Sequence, residues 1–369
     1  MKLAIAKEQL IVGLQAVQNV VSTRTTLPIL SNVLLNAGDG MLELTATDLD
    51  VTVSCSVEAK VAKPGAVTLP AKRLFGIVRE LGALEVQLDV DDKNACALEC
   101  GASFFRINGM APEEFPPVPN FKETRAVVLP QEKLRSMLRK TSYAISTDET
   151  RFVLNGIFFS VKENKVTMVA TDGRRLALVD EEAEGLEGVN LEFIVPTKAV
   201  NELIRLLQGT GNIEVRPREN QVAFNLRGEG GVAVVVISKL VEGNYPNYRQ
   251  VIPTQVKERV PIQREELWQA LKRAEIMTSE KSNSVKLAFS KNNLAITANT
   301  PDVGEARDSL AINYKGKDMA IAFNPAYLMD PLRALDNDEV FLELIDELSP
   351  GVLKINGPFL YVLMPMRMS

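Results

Sequence analysis

The feature that most constrains how this chain of 369 residues folds is one pattern that occurs three times along it. In each occurrence a short β-rich run leads to Pro or Asn. Apolar residues then follow at spacings of four, four and three, which place them on one face of a helix. The three segments are VTLPAKRLFGIVREL (67–81), EFIVPTKAVNELIRLL (192–207) and MAIAFNPAYLMDPLRAL (319–335). Self-similarity of this kind indicates repeated copies of one structural unit.

A second amphipathic helix is predicted ahead of each of these segments, at residues 7–21, 131–145 and 264–277. Alternating apolar and polar residues around Asp-Gly, Glu-Asn or Asn-Asn turns follow these helices and predict β-hairpins. Asp48 and Asp172 end equivalent Ala-Thr-Asp runs, where we expect them to cap a turn rather than form a catalytic pair. Each copy is therefore expected to run helix, strands, helix, strands.

Proline clusters at 115–124 and 245–255 separate the copies and predict the domain boundaries. The three expected domains span residues 1–122, 123–253 and 254–369. The fold class is α+β, with two helices packed on antiparallel sheets in each domain.

Composition argues against several classes of protein. The sequence has no histidine, which removes the most frequent general base and most transition-metal ligand sets. Its three cysteines, Cys55, Cys96 and Cys100, are an odd number and are expected in the core rather than in disulfides. It contains no P-loop motif, no apolar run of 18 residues and no signal-peptide pattern. We therefore expect a cytoplasmic protein that is not an enzyme and has no metal site, no cofactor and no membrane partner.

The charge is distributed unevenly between the predicted helices and the rest of the chain. The formal net charge is −5. The six predicted helical segments nevertheless contain fourteen Lys or Arg and only eight Asp or Glu. A basic helical side attracts phosphates, and an acidic remainder discourages other contacts. Few aromatic residues accompany the basic ones, so contact with a duplex backbone is favoured over base stacking.

An ordered set of motifs makes the chain resemble the bacterial sliding clamps, the β subunits of DNA polymerase III. These motifs are Thr26–Asn32 (TLPILSN), Thr47-Asp48-Leu49, Leu154-Asn155-Gly156, Ala170–Leu176 (ATDGRRL), Tyr245–Tyr248 (YPNY) and Tyr361–Arg367 (YVLMPMR). The resemblance covers the whole chain. It implies a head-to-tail homodimeric ring that encircles duplex DNA without regard to sequence and confers processivity on the replicative polymerase.

The resemblance also implies which basic residues face DNA. Weak phosphate contacts suffice for a ring that holds DNA by topology, and they permit sliding. The implied residues are Arg24, Lys72, Arg73, Arg135, Arg151, Lys198, Arg205 and Lys281.

A pocket for clamp-binding peptides is implied between the second and third copies. Its partners are the replicative polymerase, a clamp loader and other proteins that carry such peptides. Apolar side chains and adaptable thioethers suit a site that accepts several peptides. The implied residues are Leu154, Thr171, Gly173, Arg174, Arg175, Leu176, Pro246, Val251, Val362, Met364, Pro365, Met366 and Arg367. The chain departs from the family at Arg174, where His or another ring is frequent, and at Gln250, where Arg is frequent, and these departures bear on peptide preference.

Ring closure is expected between the first copy of one chain and the third copy of the next, through Phe105, Ile107, Ile276 and Met277. A head-to-tail contact closes only if the rotation between subunits allows it. The alternative is a repeat scaffold that binds proteins only and does not encircle DNA.

Overall fold

The computed structural model describes residues 1–21, 26–82, 84–121, 126–183, 186–208, 210–227, 232–280 and 282–367. Within these residues it contains six α-helices where the apolar spacing predicts them. They are α1 (Lys7–Val17), α2 (Ala71–Glu80), α3 (Gln131–Thr141), α4 (Thr197–Leu206), α5 (Arg264–Glu275) and α6 (Pro325–Ala334). The predicted helical faces are buried: Leu10, Leu74 and Leu271, for example, are fully enclosed. Full burial of one such side chain contributes roughly 1.5–3 kcal/mol.

The chain divides into two compact units. Unit 1 comprises Met1–Arg135 and Lys198–Leu240. Its larger sheet has eight strands in the order β10 (Val127–Pro130), β15 (Asn212–Pro217), β16 (Gln221–Arg227), β17 (Ala233–Lys239), β4 (Val51–Glu58), β3 (Met41–Thr47), β2 (Asn32–Gly38) and β6 (Gly65–Pro70). Its smaller sheet has the order β5 (Lys60–Lys63), β1 (Lys2–Ala6), β7 (Glu85–Val90), β8 (Ala95–Cys100) and β9 (Ser103–Asn108).

Unit 2 comprises Ser136–Thr197 and Val241–Ser369. Its eight-stranded sheet has the order β14 (Leu191–Pro196), β11 (Gly156–Lys162), β12 (Lys165–Thr171), β13 (Arg175–Glu182), β25 (Phe359–Leu363), β24 (Gly351–Lys354), β23 (Glu339–Leu344) and β18 (Glu258–Gln263). Its four-stranded sheet has the order β21 (Gly304–Ala311), β20 (Asn293–Thr300), β19 (Val285–Ser290) and β22 (Met319–Phe323). The strand pairs of these four sheets are antiparallel, which confirms the α+β class.

The two eight-stranded sheets correspond strand for strand. In unit 1, β17 pairs with β4, and the backbone N–H of Lys239 donates to the Asp50 carbonyl at 2.9 Å. In unit 2, β25 pairs with β13, and the N–H of Met364 donates to the Arg174 carbonyl at 3.0 Å. Each large sheet is thus assembled from strands of two successive copies. The same positions can therefore be compared in both units.

The structure differs from the predicted element order at the start of each copy. A short strand (β1, β10 or β18) leads directly into the first helix of every copy. The prediction that each copy begins with a helix was wrong. Each leading strand has only four to six residues and runs straight into its helix, so its apolar pattern is too short to be distinguished from that of the helix.

The prediction for the cysteines is confirmed. Cys55, Cys96 and Cys100 are buried and none of them forms a disulfide with a described residue, and burial raises the pKa of the Cys55 thiol to about 12. Gly156, from one of the motifs, stands where backbone segments touch, since a Cβ there would lie 2.3 Å from the carbonyl oxygen of Val195. Among the described residues, no helix is long and apolar enough to cross a bilayer.

Candidate functional site

The Ala-Thr-Asp turn of unit 2 joins β12 to β13 and is built by its own side chains. Asp172 Oδ1 accepts the backbone N–H groups of Arg174 and Arg175, at 2.8 and 3.1 Å. Thr171 Oγ1 donates to the Arg175 carbonyl at 2.6 Å and accepts the N–H of Gly173 at 3.1 Å. The predicted turn-capping role of Asp172 is confirmed. Asp48 does the same in unit 1, where its Oδ1 accepts the Val51 N–H at 2.8 Å.

Gly173 occupies a conformation that other residues rarely adopt, with φ of +86°. It also leaves room for a neighbour: a Cβ at this position would lie 2.6 Å from Arg151 Nη1. Arg151 comes from a 3-10 turn over Glu149–Leu154 and is fixed by an ion pair with Asp148 at 2.9 Å. Arg151, predicted from the resemblance to face DNA, therefore lies against the turn of the implied peptide pocket.

The C-terminal segment holds two exposed methionines, the first of them bonded through its backbone to the same turn. After β25, the Met364 N–H donates to the Arg174 carbonyl, and the Met366 N–H donates to the Ala322 carbonyl at 2.7 Å. The backbone is thus held on both sides of Pro365. The Met364 and Met366 side chains nevertheless remain 41% and 38% exposed. Exposed thioethers on a fixed backbone form an adaptable apolar contact surface.

An apolar floor supports this surface. Val169, Leu176 and Val362 are buried together. The partly buried side chains packed against them are Phe158, Leu178, Tyr245, Tyr248, Ile252 and Leu360. Pro246 and Val251 are exposed beside this floor, and Leu154 is buried at the end of the 3-10 turn. We call the exposed residues Gly173, Arg174, Val251, Met364 and Met366 the methionine surface.

The sequence reasoning missed the aromatic part of the floor. The Phe158 and Tyr245 rings stack with centroids 5.1 Å apart, and Tyr248 lies 6.0 Å from Phe158. Both tyrosines stand in the YPNY motif, so this signal was present, although only Pro246 was selected from it. Phe158 carries no comparable signal, because its partners lie almost ninety residues away.

Arg175 is the clearest departure from the implied peptide pocket. Its side chain is only 10% exposed, and its guanidinium is bonded to other residues of unit 2. It donates to Asp172 at 3.0 Å, to Asp330 at 2.5 Å and to the Tyr143 carbonyl at 2.5 Å. Burial alone would lower the pKa of Arg175, but the Tyr361 and Asp330 oxygens beside it raise that pKa above its usual value, so the group stays charged.

Among the implied DNA-facing residues, three are unengaged cations on helices. Lys72 and Arg73 on α2 and Arg135 on α3 are exposed, and none forms an ion pair with a residue that the structure describes. Arg24 and Lys281 lie outside the described residues.

The two implied cations on α4 are used within unit 1 instead. Arg205 donates to the carbonyls of Gln15 and Ala16 at 2.9 and 2.6 Å and also pairs with Glu202. Lys198 forms an ion pair with Asp48 and donates to the Val20 carbonyl at 3.4 Å. Helix α1 has no basic residue in its last turn. Cations from α4 therefore satisfy carbonyls that the end of α1 leaves open.

The implied dimer residues fall into two groups. Ile276, just after α5, is 73% exposed, and Phe105 on the edge strand β9 is partly exposed. Met277 lies nearby, with its Cε 3.0 Å from where a Cβ on Gly304 would stand. Ile107 is 4% exposed and belongs to the core of unit 1, which contradicts its prediction as a contact residue. Phe104, which was not among the implied residues, is 62% exposed on the other face of β9.

Comparison with known proteins agrees along the whole chain. The family described as DNA polymerase III beta subunit matches with its N-terminal domain over residues 1–119, its central domain over 128–247 and its C-terminal domain over 249–367. The beta sliding clamp of Chlamydia muridarum is 35% identical, with 100% of this chain and 99% of the relative covered. That of Escherichia coli K12 is 35% identical with both chains fully covered.

Solved structures agree with the sequence relatives. The DNA polymerase sliding clamp of Bacillus subtilis superposes with a TM-score of 0.95 at 27% identity, over all of both chains. The sliding clamp of Bartonella birtlesii, solved bound to griselimycin, gives 0.93 at 37% identity, also over all of both chains. The chain therefore belongs to the family of DNA polymerase III beta subunits, the beta sliding clamps.

Proposed function

We propose that two copies of this chain close head to tail into a ring around duplex DNA in the cytoplasm, and that the ring tethers the replicative polymerase. The domains are those expected from the repeats, 1–122, 123–253 and 254–369. A separate clamp loader opens the ring. The protein itself has no catalytic role.

One observation on strand pairing carries the head-to-tail arrangement. Within the chain, a strand of one copy pairs with a strand of another copy at equivalent positions twice, as β17 with β4 and as β25 with β13. The third pair of this kind would join β9, the last strand of the first copy, to β21 of the third copy. In the part of the chain that the structure describes, β9 and β21 each have one partner and form the open edges of the two smaller sheets. A second copy supplies the missing partner for each edge, and a pair of such contacts closes a two-fold ring.

The contacts to DNA are proposed to come from the exposed, unengaged cations Lys72, Arg73 and Arg135. Phosphate contacts of this kind fix no sequence and break easily, so they permit sliding. Lys198 and Arg205 are assigned to holding α1 rather than to DNA. Arg151 is assigned to the rim of the methionine surface.

The ring is tested by retention on DNA of different topology. With a clamp loader and ATP, we expect the protein to remain on closed circular duplex and to be lost when the same circle is linearised by one cut. Gel filtration of the labelled protein with its DNA measures this. Equal retention on circle and on linear DNA with free ends would contradict encirclement. No retention on either would favour a scaffold that binds proteins only.

The assignment of cations is tested by salt dependence. Replacing Lys72 and Arg73 with Gln should reduce the slope of log affinity against log salt for a short duplex by about 0.9 for each phosphate that the variant no longer neutralises. Replacing Lys198 and Arg205 with Gln should leave that slope unchanged but lower the melting temperature, because carbonyls at the end of α1 lose their partners. Fluorescence anisotropy and thermal unfolding measure the two effects. A slope that falls equally in both double variants would show that Lys198 and Arg205 do contact DNA.

The methionine surface is proposed as the docking site for clamp-binding peptides, with griselimycin as a further ligand. Its exposed residues Met364, Met366 and Val251 are apolar, and Arg174 adds one charge at the rim. Because the backbone beneath is fixed at Arg174 and Ala322, a peptide meets a preformed site.

A further inference from the structure

A buried cation follows Arg174 of the methionine surface in the chain and connects three separate parts of unit 2. Arg175 Nε donates to Asp172 in the turn, Nη1 to Asp330 on α6, and Nη2 to the carbonyl of Tyr143 just after α3. Its guanidinium also lies 4.3 Å from the centre of the Tyr327 ring. A desolvated charge with this many partners is held rigidly, because any displacement leaves buried charges unpaired.

We propose that Arg175 is a positioning residue for peptide binding: it fixes the Asp172–Arg174 turn from behind and does not touch the peptide. The proposal rests on the peptide-docking function assigned to the methionine surface. It gives Arg175 a different role from the direct contact that the resemblance implies.

The path from Arg175 to the surface consists of hydrogen bonds. Asp172 receives Arg175 Nε on Oδ2, and its Oδ1 accepts the N–H of Arg174. The carbonyl of Arg174 in turn accepts the N–H of Met364. Fixing the Asp172 carboxylate therefore fixes both the rim of the surface and the strand end that carries its methionines.

Unit 1 contains the same link without a methionine surface. Asp48 caps the equivalent turn, and the position of Arg175 is taken by the buried Val51. The cation comes instead from the helix: Lys198 pairs with Asp48 and donates to the carbonyl of Val20, just after α1. In both units a cation thus joins the aspartate of the turn to a carbonyl that follows the first helix. The cation comes from the end of the turn in unit 2 and from helix α4 in unit 1.

Unit 1 shows that the link does not depend on the presence of a docking surface. At the positions of Arg174 and Met364, unit 1 has Asp50 and Lys239, which pair with each other at 3.0 Å. No apolar docking surface is formed by that pair, yet the link through the partly exposed Lys198 is present. The link therefore serves the turn itself, and in unit 2 the turn carries the docking surface.

The test compares Arg175→Met, Asp330→Asn, their double variant and the rim variant Arg174→Met. Asp330 lies on α6, is bonded to Arg175 and is not one of the residues of the methionine surface, so its loss reports on the link. The probe is a fluorescein-labelled synthetic peptide spanning the clamp-binding sequence of a replicative polymerase. Two quantities are measured: peptide affinity, and amide hydrogen exchange of Arg174 and Arg175 in the peptide-free protein.

We expect Arg175→Met and Asp330→Asn each to lower the affinity for the peptide by about tenfold. The double variant should bind no more weakly than the weaker of the two single variants, because both substitutions break the same link. Amide exchange in the turn should quicken by about tenfold in all three. Arg174→Met should change affinity while leaving exchange at the Arg175 amide as in the unmodified chain.

Wild-type affinity and wild-type exchange in Asp330→Asn would overturn the proposal. If Arg175→Met does not fold, Asp330→Asn, which keeps the side-chain volume, still decides. If the unmodified chain does not bind the peptide at all, the docking function fails, but the exchange data still show whether the link holds the turn.

Discussion

Replacing Met364 and Met366 together with Asp should lower the affinity for a clamp-binding peptide by at least about 100-fold, because an apolar ligand would have to desolvate two carboxylates without pairing them. Both side chains are exposed, while their backbone N–H groups are bonded to Arg174 and Ala322. The fold and the dimer should therefore be unaffected. Fluorescence anisotropy with a labelled peptide measures the first effect, and sedimentation velocity checks the second.

A matched control places the same charges on exposed apolar residues elsewhere. Among the residues that the structure describes, Leu84 and Leu348 are the most exposed of the large apolar side chains, and they lie outside the methionine surface. The double replacement of these two by Asp should leave peptide affinity unchanged. Unchanged affinity in the Met364 and Met366 variant would mean that the docking site is elsewhere on the chain.

Replacing Ile276 with Asp should convert the dimer to monomers, with a dissociation constant raised by roughly 100-fold or more. Ile276 is the most exposed of the implied interface residues and belongs to unit 2, beside the four-stranded sheet. A closed ring contains two identical interfaces, so each ring must bury two such carboxylates, and an unpaired buried charge is costly. Native mass spectrometry across a concentration series measures the change.

The same substitution should abolish retention on closed circular DNA, since an open arc cannot hold DNA by topology. Val256→Asp is the control, because Val256 is also an exposed apolar residue of unit 2 but was not assigned to the interface. A fully dimeric Ile276→Asp protein at low concentration would place the subunit contact on other residues.

The sequence predicted those features that depend on local periodicity. All six helices and both turn-capping aspartates follow from spacing and from residue type within a few positions. The short leading strands were not predicted, because no residue in the sequence marks where the strand ends and the helix begins. Ile107 and Phe104 show a limit of another kind: they are three positions apart in β9, and residues an odd number of positions apart in a strand point to opposite faces, so the choice between them exchanges core for surface.

The binding partners of the individual cations were the property that the sequence predicted least well. Lys198, Arg205 and Arg175 look like surface charges in the sequence, and Lys72 and Arg73 look the same. What separates them is the position of their partners. Asp330 is 155 residues from Arg175, and the Gln15 carbonyl is 190 residues from Arg205. Local patterns contain no information about such pairs, whereas the repeat did predict that equivalent helices recur beside equivalent turns.

The discontinuous composition of the two units has a consequence for how the chain folds during synthesis. In unit 1, β4 ends at Glu58 but pairs with β17, which begins only at Ala233. Synthesis of the intervening residues takes on the order of ten seconds or more at roughly 5–20 residues per second. In unit 2, β13 waits for β25, which begins only at Phe359. Each nascent sheet therefore keeps a hydrogen-bonding edge open for much of translation, which makes the unfinished chain, rather than the finished protein, the species most exposed to misassociation.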